Sequence, residues 1–272
     1  MYRLTACAVG AVSAFYLLAA GIGASLGAPA TIAGGKTKDE GFTTAAPTAI
    51  LIEAESGTVL FEKNADTLVA PASLAKLMTA ETVFNEIKEG NVKLDEEFII
   101  SENAWRRGGA PSGGSTMFAP IHSRIKVSDL LQGAIIQSGN DACIALAEGI
   151  AGNEASFVRL MNARARELGL TQSNFTNSTG LPDPEQRVTV RELAKLARHI
   201  IHTYPEFYKW YGEKDFTWNK IRQPNRNPLL AMNIGADGLK TGFTNEAGYG
   251  LVGSAVQNDM RLIVVVAGLK TA

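Results

Sequence analysis

Cysteine, histidine and net charge are all scarce in this 272-residue chain. The two cysteines are Cys7 and Cys143. Cys7 lies in a segment expected to be removed, which excludes an internal disulfide. Three histidines, His122, His199 and His202, form no cluster with the cysteines, so no zinc site is expected. The formal net charge of -1 offers no basic surplus for nucleic acid. The glycine-rich stretch 109–115 lacks the lysine a phosphate cradle needs before its Ser or Thr, and reads as a flexible rim beside a pocket. What remains is a chain that is 46% hydrophobic and 19% charged, which suits a globular protein with a sizeable core.

The one long uncharged run is N-terminal. Arg3 is the only charge before Lys36, and apolar residues follow from about Ala6 to Leu26. Small residues at Gly27–Ala30 offer a signal-peptidase site, so residues 1–30 read as a secretory signal and 31–45 as a flexible tether. An uncleaved membrane anchor is the alternative. Either way, the bulk of the chain is expected outside the cytoplasm, at the periplasmic face of the inner membrane.

Strands are predicted at 49–54 and 57–62, joined by the turn Glu55-Ser56-Gly57. A helix follows Pro71 and runs to about Lys88. Residues 103–115 read as a loop. Helices are expected at 127–137 and 142–151, broken by a corner at Ser138–Asp141 that Asn140 or Asp141 caps. A third helix follows the Asn153 cap and ends at Gly169, and residues 174–186 read as loop. A fourth runs from Thr189 to His202, with Glu192, Lys195, His199 and His202 on one solvated face. An aromatic and basic stretch, 216–227, carries Arg222 and Arg226. Strands close the chain at 237–244, 249–256 and 261–269, and the run Leu262–Ala267 predicts a strand covered on both faces. The fold class is therefore α/β in the broad sense (α+β): an antiparallel central sheet built from both chain ends, with an inserted helical lobe.

Chemistry concentrates at three places. Ser73-Leu74-Ala75-Lys76 opens a helix that is apolar nearly all round, so Lys76 should be buried and its pKa depressed. Ser73 lies three residues earlier, at an electropositive helix end. A hydroxyl beside a free amine makes an activated nucleophile. Ser138-Gly139-Asn140 presents a hydroxyl and an amide at a helix corner, 65 residues after Ser73. Lys240-Thr241-Gly242, 102 residues after Ser138, offers a fixed cation, a hydroxyl and a glycine that admits close approach, which suits a carboxylate. Each motif alone has a bland reading: a helix cap with a snorkelling lysine, a helix corner, an edge strand. Their joint occurrence in order does not.

The three motifs, with Gln137–Cys143, Ile221–Asn227 and Asp237–Gly242, resemble those of the low-molecular-mass, penicillin-binding serine D-alanyl-D-alanine carboxypeptidases (peptidase family S11) from about Ala46 to Ala272. The resemblance implies a β-lactamase/transpeptidase-like catalytic domain over 46–272. Ser73 would attack the peptide bond before the terminal D-alanine of a peptidoglycan stem peptide, and Lys76 would take its proton. Ser138 and Asn140 would complete the proton path and hold the substrate. Lys240, Thr241 and Gly242 would bind the terminal carboxylate, or that of a β-lactam antibiotic, with Arg226 as a further candidate. The backbone N–H groups of Ser73 and Phe243 would form the oxyanion hole. Water would hydrolyse the acyl-enzyme, so no cofactor and no metal are expected. Some relatives carry His at the Phe243 position, which bears on deacylation. Rival readings are a class A β-lactamase, disfavoured by the absence of a Glu-x-x-Leu-Asn loop between Asp141 and Leu239; an endopeptidase or transpeptidase of the same fold; and a non-catalytic penicillin-binding or wall-binding module. The family adds a helix after the last strand. Its absence here leads to the expectation of a C-terminally truncated chain with part of one sheet face uncovered, and membrane association through the N-terminal or a missing C-terminal region.

Overall fold

The computed structural model describes residues 42–271. The proposed signal, most of the tether and Cys7 lie outside the described residues. β1 (Thr48–Glu53) and β2 (Val59–Lys63) form the expected hairpin. A 3-10 turn, Ala72–Ala75, leads into α1 (Lys76–Lys88). The lobe follows: β3 (Glu97–Ile99), α2 (Glu102–Gly108), β4 (Arg124–Lys126), α3 (Val127–Ile135), α4 (Asn140–Ala151) and α5 (Glu154–Glu167). Then come α6 (Val190–Thr203), the single-turn α7 (Pro205–Tyr208), the hairpin β5 (Asp215–Trp218) and β6 (Ile221–Pro224), and β7 (Ala236–Thr244), β8 (Gly248–Gln257) and β9 (Met260–Leu269). The main sheet is antiparallel throughout, in the order β2-β1-β9-β8-β7. It joins the two ends of the chain around the helical lobe, as expected. No helix among the described residues is long and apolar enough to cross a membrane.

Four expectations need correction. Only the second half of 103–115 is irregular: Ser101 Oγ accepts the Ala104 N–H, Arg106 pairs with Glu102 one turn on, and α2 forms over 102–108, ahead of a 3-10 turn and bends at 109–115. The corner between α3 and α4 has Gly139 at its cap, with Asn140 as the first helical residue and no side-chain cap. Asp141 is occupied elsewhere. β9 is not covered on both faces: Ile263, Val265 and Ala267 are buried, whereas Leu262, Val264 and Val266 are only half-buried. The run is apolar, but its period-2 burial is that of a sheet with one packed face.

The fourth correction concerns α6. Glu192 is 2% exposed, and its carboxylate accepts from Gln172 N–H and Ser173 Oγ. His199 is half-buried against Glu81 of α1 at 3.1 Å. Glu81 is fully buried. Its Oε1 also accepts from Arg164 of α5 at 3.0 Å and from the Tyr204 hydroxyl at 3.3 Å. One carboxylate thus ties α1 to α5 and to α6. Residues 76–84 of α1 are all buried, so this helix is the axis of the molecule.

Removing that carboxylate should leave the largely buried Arg164 with only Glu167 at its exposed edge, and His199 and Tyr204 without their shared acceptor. Glu81→Ala is expected to lose about 3–5 kcal/mol, lowering the melting temperature by roughly 10 °C for a domain of this size. An unchanged melt by calorimetry would show that the cluster holds nothing together.

Candidate active site

Pro71 ends the preceding extended segment, and Ala72 takes a positive φ of 47° before the chain turns through Ser73 into α1. A left-handed alanine is strained, and such strain gathers at functional sites. Lys76, first residue of α1, is 3% exposed. Its Nζ lies 3.0 Å from Ser73 Oγ, 2.8 Å from Asn140 Oδ1 and 2.5 Å from the Thr179 carbonyl. Burial draws the amine down from 10.5 to about 8, with Arg226 adding to the depression and Asp141 opposing it. Ser73, Lys76 and Asn140 therefore meet as the sequence predicts.

Ser138 sits at the corner with a φ of 67°. Its buried Oγ has no hydrogen-bond partner, and it lines the same cavity as Ser73. It does not bond Lys76 or Ser73 directly. An unsatisfied buried hydroxyl facing a cavity is a group that a ligand can satisfy.

β7 forms the opposite wall. A Cβ on Gly242 would fall 3.1 Å from both Ser73 N and Leu74 N, so glycine there lets the strand lie against the serine turn. Thr241, Gly242 and Phe243 line the cavity, and Phe243, 49% exposed, stacks on Tyr249 with ring centroids 4.3 Å apart. Lys240 is 3% exposed and donates to its neighbour's carbonyl, Thr241 O, at 2.9 Å. No carboxylate among the described residues pairs with it. Burial, then the charges of Lys76 and Arg226, hold its pKa well below the usual lysine value. An anion entering the cavity would relieve that cost. Arg226 lines the cavity mouth and donates to Ser115 Oγ at 2.6 Å.

Three contributors escape sequence reasoning. Thr179 acts through its backbone carbonyl, which no residue type announces. Ser115 reaches Arg226 with its hydroxyl, and its carbonyl accepts the Asn140 N–H at 2.8 Å. Asp141 is fully buried behind Asn140, and its carboxylate accepts from Thr116 Oγ1 and from the N–H groups of Met117, Ala119 and Ala142. Burial raises its pKa and those four bonds oppose the rise. It pins segment 115–119 to α4. Cys143, one turn further along α4, is a buried free thiol that burial pushes up to about 11, which leaves it unreactive. No group of three or more potential metal ligands occurs among the described residues.

The cavity of about 520 Å³ is thus lined by Ser73, whose hydroxyl meets a buried amine, by the unsatisfied Ser138 hydroxyl, by Arg226, and by Thr241, Gly242 and Phe243 of β7. With the antiparallel sheet and inserted lobe, it defines the penicillin-binding transpeptidase fold. The D-alanyl-D-alanine carboxypeptidase family model matches residues 35–271, and the chain belongs to that family, peptidase S11. The chain is 50% identical over 224 residues to D-alanyl-D-alanine carboxypeptidase DacC of Escherichia coli (strain K12), covering 82% of this chain and 56% of that one. It therefore spans a little over half the length of that curated relative. Penicillin-binding protein 5 from Haemophilus influenzae superposes with a TM-score of 0.81 at 45% identity, over 85% of this chain and 68% of the other. Penicillin-binding protein D2 from Listeria monocytogenes, solved in its ampicillin-bound form, gives 0.75 at 30% identity, over 85% and 92%.

Lys76 sets a pH signature. Its pKa is lower folded than unfolded, so the unfolded chain binds more protons between about 8 and 10.5, and stability rises with pH in that window. Lys240 acts with the same sign, so the measurement compares Lys76→Met with wild type. The unfolding free energy of the variant minus that of wild type should fall by up to about 3 kcal/mol between pH 7 and 10.5. A pH-independent difference would show that Lys76 titrates normally in the folded protein.

Proposed function

We propose that this chain is the catalytic domain of a serine D-alanyl-D-alanine carboxypeptidase that removes the terminal D-alanine from peptidoglycan stem peptides and is inhibited by β-lactams. The observation that carries the reading is the 3.0 Å contact of Ser73 Oγ with a buried Lys76 amine whose pKa lies near 8. Lys76 is the general base, and Ser73 the nucleophile. As Ser73 Oγ attacks the carbonyl carbon, its proton passes to Lys76, and the developing oxyanion faces the Ser73 and Phe243 N–H groups. Single donors of that kind are worth about 3–4 kcal/mol. Asn140 positions Lys76. Ser138, with its Oγ unsatisfied, gives its hydroxyl proton to the leaving amine and regains one from Lys76, which returns to the free base. Lys240, helped by Thr241 and Arg226, holds the terminal carboxylate. Water then releases the shortened peptide. A stem-peptide substrate puts the reaction outside the cytoplasm, in keeping with the uncharged N-terminal run. Family membership and the likeness to an ampicillin-bound relative support the same reading.

Incubation with a pentapeptide ending in D-Ala-D-Ala, followed by mass spectrometry, should show loss of one D-alanine. Ser73→Ala should abolish both this and labelling by a tagged penicillin. Lys76→Arg should fold yet acylate at least about 10²-fold more slowly, because a guanidinium cannot act as a base. Labelling that persists in Ser73→Ala, or near-normal acylation by Lys76→Arg, would contradict the assignment.

A further inference from the structure

A lysine that serves as a base must be more than neutral: its lone pair must point at the proton it takes. A neutral amine has two N–H donors and one lone pair, and an ammonium has three donors. Lys76 Nζ has three oxygen neighbours: Ser73 Oγ, Asn140 Oδ1 and Thr179 O. Asn140 Oδ1 and the Thr179 carbonyl can only accept, so in the neutral amine they take both N–H groups. The lone pair is then left facing the one neighbour that can donate, the Ser73 hydroxyl. When the Ser73 O–H bond breaks and its Oγ bonds to the carbonyl carbon, the proton forms the third N–H, and all three acceptors are matched. The Thr179 carbonyl is thus half of the device that aims the base.

What aims the carbonyl is Asn177. Its Oδ1 accepts from Gly180 N at 2.8 Å, and this N–H belongs to the same planar peptide unit as Thr179 C=O. It also accepts from Thr179 Oγ1 at 2.9 Å and Thr179 N at 3.2 Å. The amide end of Asn177 donates to Leu181 O at 3.0 Å, so the side chain spans the turn. The turn itself is seated on α1 and α5: Thr79 Oγ1 donates to Ser178 O at 2.7 Å, and Glu154 accepts from Ser178 N and Oγ. Gly180, at a φ of 82°, lies so close to the nucleophile turn that a Cβ there would fall 1.9 Å from Ala72 O. A side chain that grips the N–H edge of a peptide plane fixes where its C=O edge points.

We propose that Asn177 is a positioning residue for the reaction: by clamping the 179–180 peptide it directs the lone pair of Lys76 at Ser73. This rests on Lys76 being the base, and the test separates the two. The rate of acylation by a tagged penicillin is measured from pH 6 to 10. In the wild type it should rise with pH along a limb near 8, reporting the free enzyme's base. Asn177→Ala releases the carbonyl. The plateau should fall by about 10²-fold, the loss typical of a base misplaced by an ångström. The limb should also move to lower pH, because the ammonium loses an acceptor. Asn177→Asp restores the acceptor and adds a negative charge. It should recover most of the rate with the limb moved to higher pH, and it carries the test if the alanine variant does not fold. A limb that stays put in the alanine variant, whatever its plateau, would mean a merely structural role and overturn the proposal, as would an unmoved limb in the aspartate variant. A wild-type profile with no limb at all would overturn Lys76 as the base, whatever the variants do.

Discussion

The fold is arranged around one buried amine. Lys76 can be held away from water only if oxygen acceptors surround it, and those acceptors come from three distant parts of the chain: the turn that opens α1, the first residue of α4, and a loop between α5 and α6. Burial without a carboxylate partner keeps the charged form expensive and the free base accessible. A carboxylate within bonding distance would stabilise the ammonium instead. The carboxylate next to Asn140, that of Asp141, is spent on four donors of its own.

The rest of the architecture serves this arrangement. Glu81 anchors α1 from the far side through Arg164, His199 and Tyr204, so the helix carrying Lys76 is gripped by two others. Gly242 lets β7 press against the Ser73 turn, and Gly180 lets the Thr179 loop press against Ala72. Both contacts would be closed by a methyl group. The same close approach brings the charge of Lys76 near enough to Lys240 to help lower its pKa. Their repulsion favours one proton fewer in the empty site, and an anionic ligand would offset it.

Much of this was legible in the sequence, for physical reasons. The strands at both chain ends follow from β-branched runs bounded by turn residues. Asn153 and Thr189 cap their helices as their residue types dictate. Ser73, Lys76 and Asn140, which the structure brings into contact, stood out because side-chain chemistry at fixed spacing is what a sequence displays. The failures share a cause. Thr179 contributes a carbonyl, which every residue has. Glu192 and His199 read as solvent-facing because helical periodicity cannot see the neighbours that bury them. The α2 helix was hidden by its Arg-Arg pair and by the glycines at and beyond its end, while its capping Ser101 lay just outside the stretch that looked irregular.

The central claim is that Lys76 is a neutral amine near working pH because of where it is buried. Carbon-13 labelling of lysine side chains, with the Lys76 Cε resonance assigned by its loss in Lys76→Met, reads that protonation state directly in the free protein. The account predicts a titration midpoint near 8, well below that of the solvent-exposed lysines. A midpoint at or above 10 would mean that the amine is an ordinary ammonium, and the site could not work as described.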